Sequence, residues 1–295
     1  MLDHQFPSSS LSRCSRCGVA RFKQGKRLLY SINIDGPWRE EIPACAEPPV
    51  EDPWYGHEIL MVDVETTGLS WMFDEATEVG AVVARIEPVE DDFQLTIVES
   101  FSSLVRPRSE LRERAIETQE ITGITWEMLE DAPSPREVAT RLAEIGSRYP
   151  NALMAAYNGH FDAGFVCGAL FLRSGVEVPP VFRQSDYLDP CVWSRKIDKY
   201  KVGGHKLVTV AERREVLDKA TLEQEAHRAD FDAEVALRVM LSFAKVVPKD
   251  LVDLQHWQRA SREEWRENFF GVYLPKKRRE ERLAKLITRL STQTS

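Results

Sequence analysis

The chain has 295 residues, 43% of them hydrophobic and 29% charged, with a formal net charge of −8. That size allows one full domain with extensions, or two small domains, and a core that needs no staples. Apolar runs such as 59–62 and 81–84 are far below the ~20 residues that span a bilayer, and the acidic balance argues against a surface that grips a long nucleic-acid backbone. Five cysteines suit reduced thiols or a metal site better than a disulfide framework. Residues 1–13 are mostly polar and hold no apolar signal core, so the expected location is cytoplasmic.

Taken in chain order, residues 1–56 show little apolar periodicity and carry Cys14, Cys17 and Cys45. The stretch 42–53 (IPACAEPPVEDP) reads as a linker. Residue 58 opens a buried strand to 64 (EILMVDV), followed by β-branched runs at 77–86 and 93–105 with a hairpin turn near 90–92. The spacing of Val138, Leu142 and Ile145 predicts an amphipathic helix over 135–148. A buried strand over 152–157 leads into a helix over 162–174 in which Cys167 is buried. A further short strand is allowed, Cys191 reads as buried, and helices follow at 205–213 and 230–243. The expected organisation is an N-terminal extension (1–56), an α/β domain (57–245) and a charged helical tail (246–295). The α/β domain has the element order of a ribonuclease H-like mixed sheet flanked by helices.

Three acidic elements stand out. On a strand, residues i and i+2 share a side, so Asp63 and Glu65 emerge together at a strand end. Two such carboxylates repel unless a cation lies between them. Gly68, after Thr66 and Thr67, permits a tight turn. In Asn158-Gly-His-Phe-Asp162, Asn158 reads as a helix cap, with Asp162 in the first helical turn. In His227-Arg-Ala-Asp-Phe-Asp232, five residues turn a helix by about 500°, so His227 is expected on a loop before the helix. Asp232 shares a face with Val235, Ala236 and Val239, whereas Asp230 aligns with Glu234 and Arg238. Asp232 is therefore the core-facing carboxylate, and a carboxylate there needs a partner such as a metal ion.

These motifs resemble those of the DnaQ-like (DEDDh) exonucleases, among them the proofreading subunits of DNA polymerase III: Asp63-Val-Glu65-Thr-Thr-Gly68, Asn158-x3-Asp162 and His227-x4-Asp232-Ala233. The segment 115–125 (AIETQEITGIT) is similar as well, and the likeness covers residues 57–243. Tyr157 departs from it, since many relatives have His there. The resemblance implies a 3′–5′ exonuclease in which Asp63, Glu65, Asp162 and Asp232 hold two Mg²⁺ or Mn²⁺ ions and His227 accepts a proton. It also implies that Thr66, Thr67 and Gly68 cradle the 3′ nucleotide, that Leu69 and Phe161 stack or wedge against bases, and that Asn158 orients the strand. The expected partners are DNA 3′ ends and a DNA polymerase. RNA exonucleases share the pattern but usually carry Met at the position of Thr66; a binding module without chemistry is the alternative of another class.

The flanks are less specific. Cys14-x2-Cys17 has knuckle spacing, and with Cys45 and a histidine (His4 or His57) it could make a structural zinc site. In the tail, Leu251, Leu254, Trp257, Ser261 and Trp265 recur at helical spacing, as do Leu283, Leu286, Ile287 and Leu290. A helix packed on the domain is the simpler reading, and a partner-binding helix the sharper one. The basic run 276–279 reads as a charged helix surface.

Overall fold

A computed structural model describes residues 11–13, 20–24, 27–31, 40, 52–184, 186–218, 220–221, 228–274 and 276–277. The chain divides into two units, Met1–Asp52 and Pro53–Ser295. In the first, β1 (Leu11–Arg13), β2 (Ala20–Gln24) and β3 (Arg27–Ser31) form an antiparallel sheet in that order. These strands of three to five residues are too short to register as an alternating pattern in the sequence.

In the second unit, β4 (Glu58–Thr66), β5 (Ala76–Val89), β6 (Asp92–Leu104) and β7 (Leu153–Ala156) form a sheet of order β6-β5-β4-β7. Only the β4–β7 pair is parallel. The hairpin between β5 and β6 turns at Glu90, whose φ is +52°. The further short strand reduces to a single parallel bridge, Ala155 to Leu188.

The pleat of β4 sorts its side chains between two cores. Leu60, Val62 and Val64 pack with α3 (Pro135–Arg148) and with the helical stretch formed by α4 (His160–Ala163), a π-helical segment (Gly164–Phe171) and α5 (Leu172–Ser174). Ile59 and Met61 pack on the other face with α6 (Pro190–Ile197), α7 (Leu207–Arg213) and α8 (Ala229–Phe243). Continuing that alternation, Asp63 and Glu65 belong to the α8 side. α3 starts where Ser134 and Glu137 form a reciprocal capping box.

Three helices have no counterpart in the sequence reading: α1 (Arg112–Thr122), α2 (Trp126–Glu130) and α6. α1 buries only Ala115 and Thr122, which leaves no apolar stripe to detect. α9 (Leu251–Asn268) packs on α6, with Leu254 buried and the buried Gln258 amide bridging Trp193 and the Tyr187 carbonyl. Cys191 is buried as expected. Cys167 is only half-buried, and its thiol donates to the Phe182 carbonyl at 2.9 Å. Among the described residues no helix is long and apolar enough to cross a membrane.

Candidate active site

β4 runs past its parallel neighbour. β7 pairs with residues 59–62 of β4 and then stops, leaving a crevice at the carboxyl ends of the two parallel strands, where open α/β sheets bind ligands. Beyond that point the backbone N–H of Val64 donates instead to Asp162 Oδ1 at 3.2 Å. Asp162 lies in the first turn of α4, as expected, and is buried.

On the other face, carboxylate oxygens of Asp63, Glu65 and Asp232 all lie within 4.8 Å of one another. Gly80, paired with Asp63 across the sheet, makes this possible. A Cβ at Gly80 would sit 2.1–2.4 Å from the backbone of Ala229 and Asp230. The missing side chain therefore lets the first turn of α8 rest directly on β5 and brings Asp232 over β4. Glu78 secures the same turn, accepting from the Ala229 N–H at 3.3 Å and from Ser102 Oγ at 2.9 Å. Sequence reading missed both. The one available signal for Glu78 was an acidic residue inside the apolar run of β5.

The electrostatics match this crowding. Burial first, and then the charges of Asp162, Asp232, Glu65 and Glu78, hold the Asp63 carboxyl well above its ordinary value. Burial, Asp232 and Glu78 push Glu65 up to about 8. Burial also raises Asp162, against the pull of its own backbone hydrogen bond and that of Val64. An all-oxygen, converging donor set whose anionic form is penalised fits a hard divalent cation.

The turn after β4 is tightly bonded. Thr66 Oγ1 donates to the Gly68 carbonyl at 2.7 Å, and Thr67 exchanges hydrogen bonds with the Glu75 backbone. Any Cβ at Gly68 would meet the Asp74 carboxylate at 2.6 Å. Leu69, 89% exposed, stands clear of the fold. Phe161 is half-buried against Phe165, with ring centroids 4.8 Å apart.

Asn158 departs from the sequence expectation: it does not cap α4 with its side chain. It adopts a left-handed φ of +62°, which Asn tolerates, and so turns the chain from β7 into the helix. Its N–H donates to Asp189 Oδ1 at 3.0 Å, and its side-chain oxygen faces Arg195 at 3.5 Å. Asp189, buried and absent from the sequence reading, thus fixes this turn while capping α6. Tyr157 is half-buried and donates its hydroxyl to the His205 carbonyl at 2.9 Å.

Asp230 points away from the carboxylates and pairs with Arg228 at 3.4 Å. α8 begins just after Arg228. His227 and the cysteines Cys14, Cys17 and Cys45 lie outside the described residues.

Residues 60–240 match the RNase T model, described as exonuclease. The chain belongs to this exonuclease family. Over 190 residues it is 31% identical to the PolC-type DNA polymerase III of Thermotoga petrophila, covering 64% of this chain and 12% of that protein. Over 218 residues it is 32% identical to the Oceanobacillus iheyensis counterpart, covering 72% and 13%. This family member therefore spans only 12–13% of the length of those relatives. Among solved structures, a full-length 3′-exonuclease superposes with a TM-score of 0.53 at 16% identity, over 68% of this chain and 64% of that one. E. coli exonuclease I in complex with a dT13 oligonucleotide gives 0.50 at 17% identity, over 64% and 41%. These likenesses establish a ribonuclease H-like exonuclease fold.

Proposed function

We propose that the chain is a metal-dependent 3′–5′ exonuclease acting on DNA 3′ ends and releasing nucleoside 5′-monophosphates. The observation that carries the reading is the convergence of Asp63, Glu65 and Asp232 at the open end of β4. DNA is favoured over RNA by Thr66 and by relatives that are DNA polymerases. Their names also make a DNA polymerase the candidate partner, in proofreading or repair in the cytoplasm.

Asp63, Glu65, Asp162 and Asp232 would hold two Mg²⁺ or Mn²⁺ ions. When bound, such ions supply Lewis acidity and neutralise the phosphodiester. Thr66, Thr67 and Gly68 cradle the terminal nucleotide, Leu69 and Phe161 contact its base, and Asn158 orients the strand. Water attacks the terminal phosphorus, its proton passes to His227, and the P–O3′ bond breaks to leave a 3′-hydroxyl on the shortened strand. An imidazole with an ordinary pKa of about 6.5 suits that role near neutral pH.

Digestion of 5′-labelled single-stranded DNA, duplex DNA and RNA, with Mg²⁺ or Mn²⁺ and with EDTA, tests this. Stepwise shortening that stops in EDTA is expected, with His227→Ala slowed about 10²–10⁴-fold while still binding Mn²⁺. Undiminished digestion in excess EDTA would overturn the reading. We also assign Cys14, Cys17 and Cys45 to one structural zinc, supported by the Cys-x2-Cys spacing. Metal analysis of the purified chain checks it, and a zinc-free preparation rejects it.

A further inference from the structure

Helix α9 lies beyond the segment shared with the exonuclease family, yet it walls a groove of about 810 Å³ that opens at Tyr157 and Asn158. Arg195, Lys199 and Lys206 are among its lining residues. So are Trp265, Phe269 and Tyr273, three aromatics at four-residue spacing and so on one helical face. Their rings stack in sequence. Trp265 and Phe269 are 4.9 Å apart at 18°, and Phe269 and Tyr273 are 5.5 Å apart at 27°. The Arg195 guanidinium lies over the Trp265 ring at 4.2 Å and reaches the Asn158 side-chain oxygen at 3.5 Å. It therefore connects the ladder to the second sequence motif.

Packing of α9 on α6 accounts for the start of this ladder but not for its end. Trp265 is half-buried, whereas Tyr273 is 55% exposed and its neighbour Phe270 is 57% exposed. Charge separates the groove from the rest of the protein: the chain carries a net −8, yet none of the described residues that line the groove is Asp or Glu. Glu264 sits beside it and shares Lys196 and Lys199, at 2.5 and 3.0 Å, and Arg195 also acts on the buried Asp189, so Lys206 and part of the Arg195 charge remain for a ligand among the described lining residues.

We propose that this groove binds single-stranded nucleic acid on the 5′ side of the nucleotide being removed. Cations placed for phosphates beside a row of aromatic rings hold a single strand without reading its sequence. A strand leaving the carboxylate site past Asn158 would enter the groove directly. A duplex would need a wider basic surface than this acidic chain presents. The proposal rests on the exonuclease reading and adds a site to it.

The test measures KM on the full chain with Mn²⁺, using dT4, dT20 and U20, with the p-nitrophenyl ester of thymidine 5′-monophosphate as a probe that has no upstream nucleotides. Wild type is expected to show a KM about tenfold lower for dT20 than for dT4, the scale of one or two stacked bases. The double variant Tyr273→Ala/Lys206→Glu should lose that advantage, and equally for U20, since stacking and phosphate contacts ignore the sugar. Lys206→Gln, a change at an exposed side chain, guards against misfolding of the double variant. It should lower the slope of log KM against log salt by about 0.7. If wild type cleaves neither the ester nor dT4, the exonuclease reading fails. If it cleaves both and the variants keep its length dependence and salt slope, the groove proposal fails alone.

Discussion

At the end of β4, Asp63, Glu65 and Asp232 bring their carboxylates within 4.8 Å of one another, and among the described residues neighbouring acids raise the Asp63 and Glu65 carboxyls further after burial. In the loop that follows, the equally acidic Asp74 and Glu75 are buried against arginines. Arg114 pairs with Asp74, Arg108 grips Glu75 at 2.6 Å, and Arg173 approaches Glu75 at 3.5 Å. The second cluster is complete as it stands and holds a loop in shape. The first raises the energy of the folded chain and becomes favourable once cations arrive, the bargain that functional sites strike with stability.

The sharpest break of this comparison lies within the first turn of α8. Asp232→Ala should lower turnover at fixed Mn²⁺ by about 10³-fold, equivalent to several kcal/mol of lost charge stabilisation, and should weaken Mn²⁺ binding. Asp230→Ala, which removes only the pair with Arg228, should stay within a few-fold of wild type. Rate assays and Mn²⁺ titrations on the two variants decide the matter. A dead Asp230 variant beside an active Asp232 variant would reverse the assignment of this motif.

A second break uses pH. The Glu65 carboxyl stands at about 8 in the folded chain against an ordinary 4.5. A folded-state value above the unfolded one means a contribution to stability that is full below about 4.5 and lost as pH rises toward 8. In EDTA, Tm should therefore fall by several degrees between pH 5 and 8.5. Because cations bind the deprotonated form, the Tm gain from Mn²⁺ should grow over the same window. Thermal scans with and without Mn²⁺ measure both. A metal-free Tm that rose with pH would show that the carboxylates do not strain the fold.

The convergence of Asp63, Glu65 and Asp232 was legible in the sequence because strand and helix periodicity fixes which side each faces, and the place of Asp162 in a first helical turn was legible from the strand-then-helix order before it. The sheet strands and α3 were legible for the same reason. What the sequence left hidden depends on contacts between distant segments. Gly80 matters only because α8 arrives there, Glu78 because it receives the Ala229 N–H, and Asp189 because β7 ends beside α6. Asn158 was misread because an Asn before a helix suits a cap and a left-handed turn equally, and only the Asp189 bond to its N–H selects the turn. The aromatic ladder was half legible: the sequence placed Trp265 on a helical stripe, and the four-residue step that continues it to Phe269 and Tyr273, on a π-helical segment Phe269–Tyr273, went unread.

The smallest expected effect comes from the arginine-held loop. Arg173 donates to the carbonyls of Asp74, Trp71 and Met72 at 3.0, 2.7 and 2.5 Å. The Trp71 ring lies against Gly164 and Gly168, where any Cβ would come within 2.6 Å of it, so loop and helix are fitted to each other. Arg173→Met keeps much of the apolar stem but leaves those carbonyls without their shared donor. Because the site is partly open to water, which can replace some of the bonds, the cost should be about 1–2 kcal/mol, or a few degrees in Tm. The loop carries Leu69 but none of the three clustered carboxylates. KM for DNA should therefore rise a few-fold, while kcat and Mn²⁺ affinity stay near wild type. A variant that instead lost Mn²⁺ affinity would show that the arginine-held acids and the carboxylate cluster are one mechanical unit, and the contrast between them would collapse.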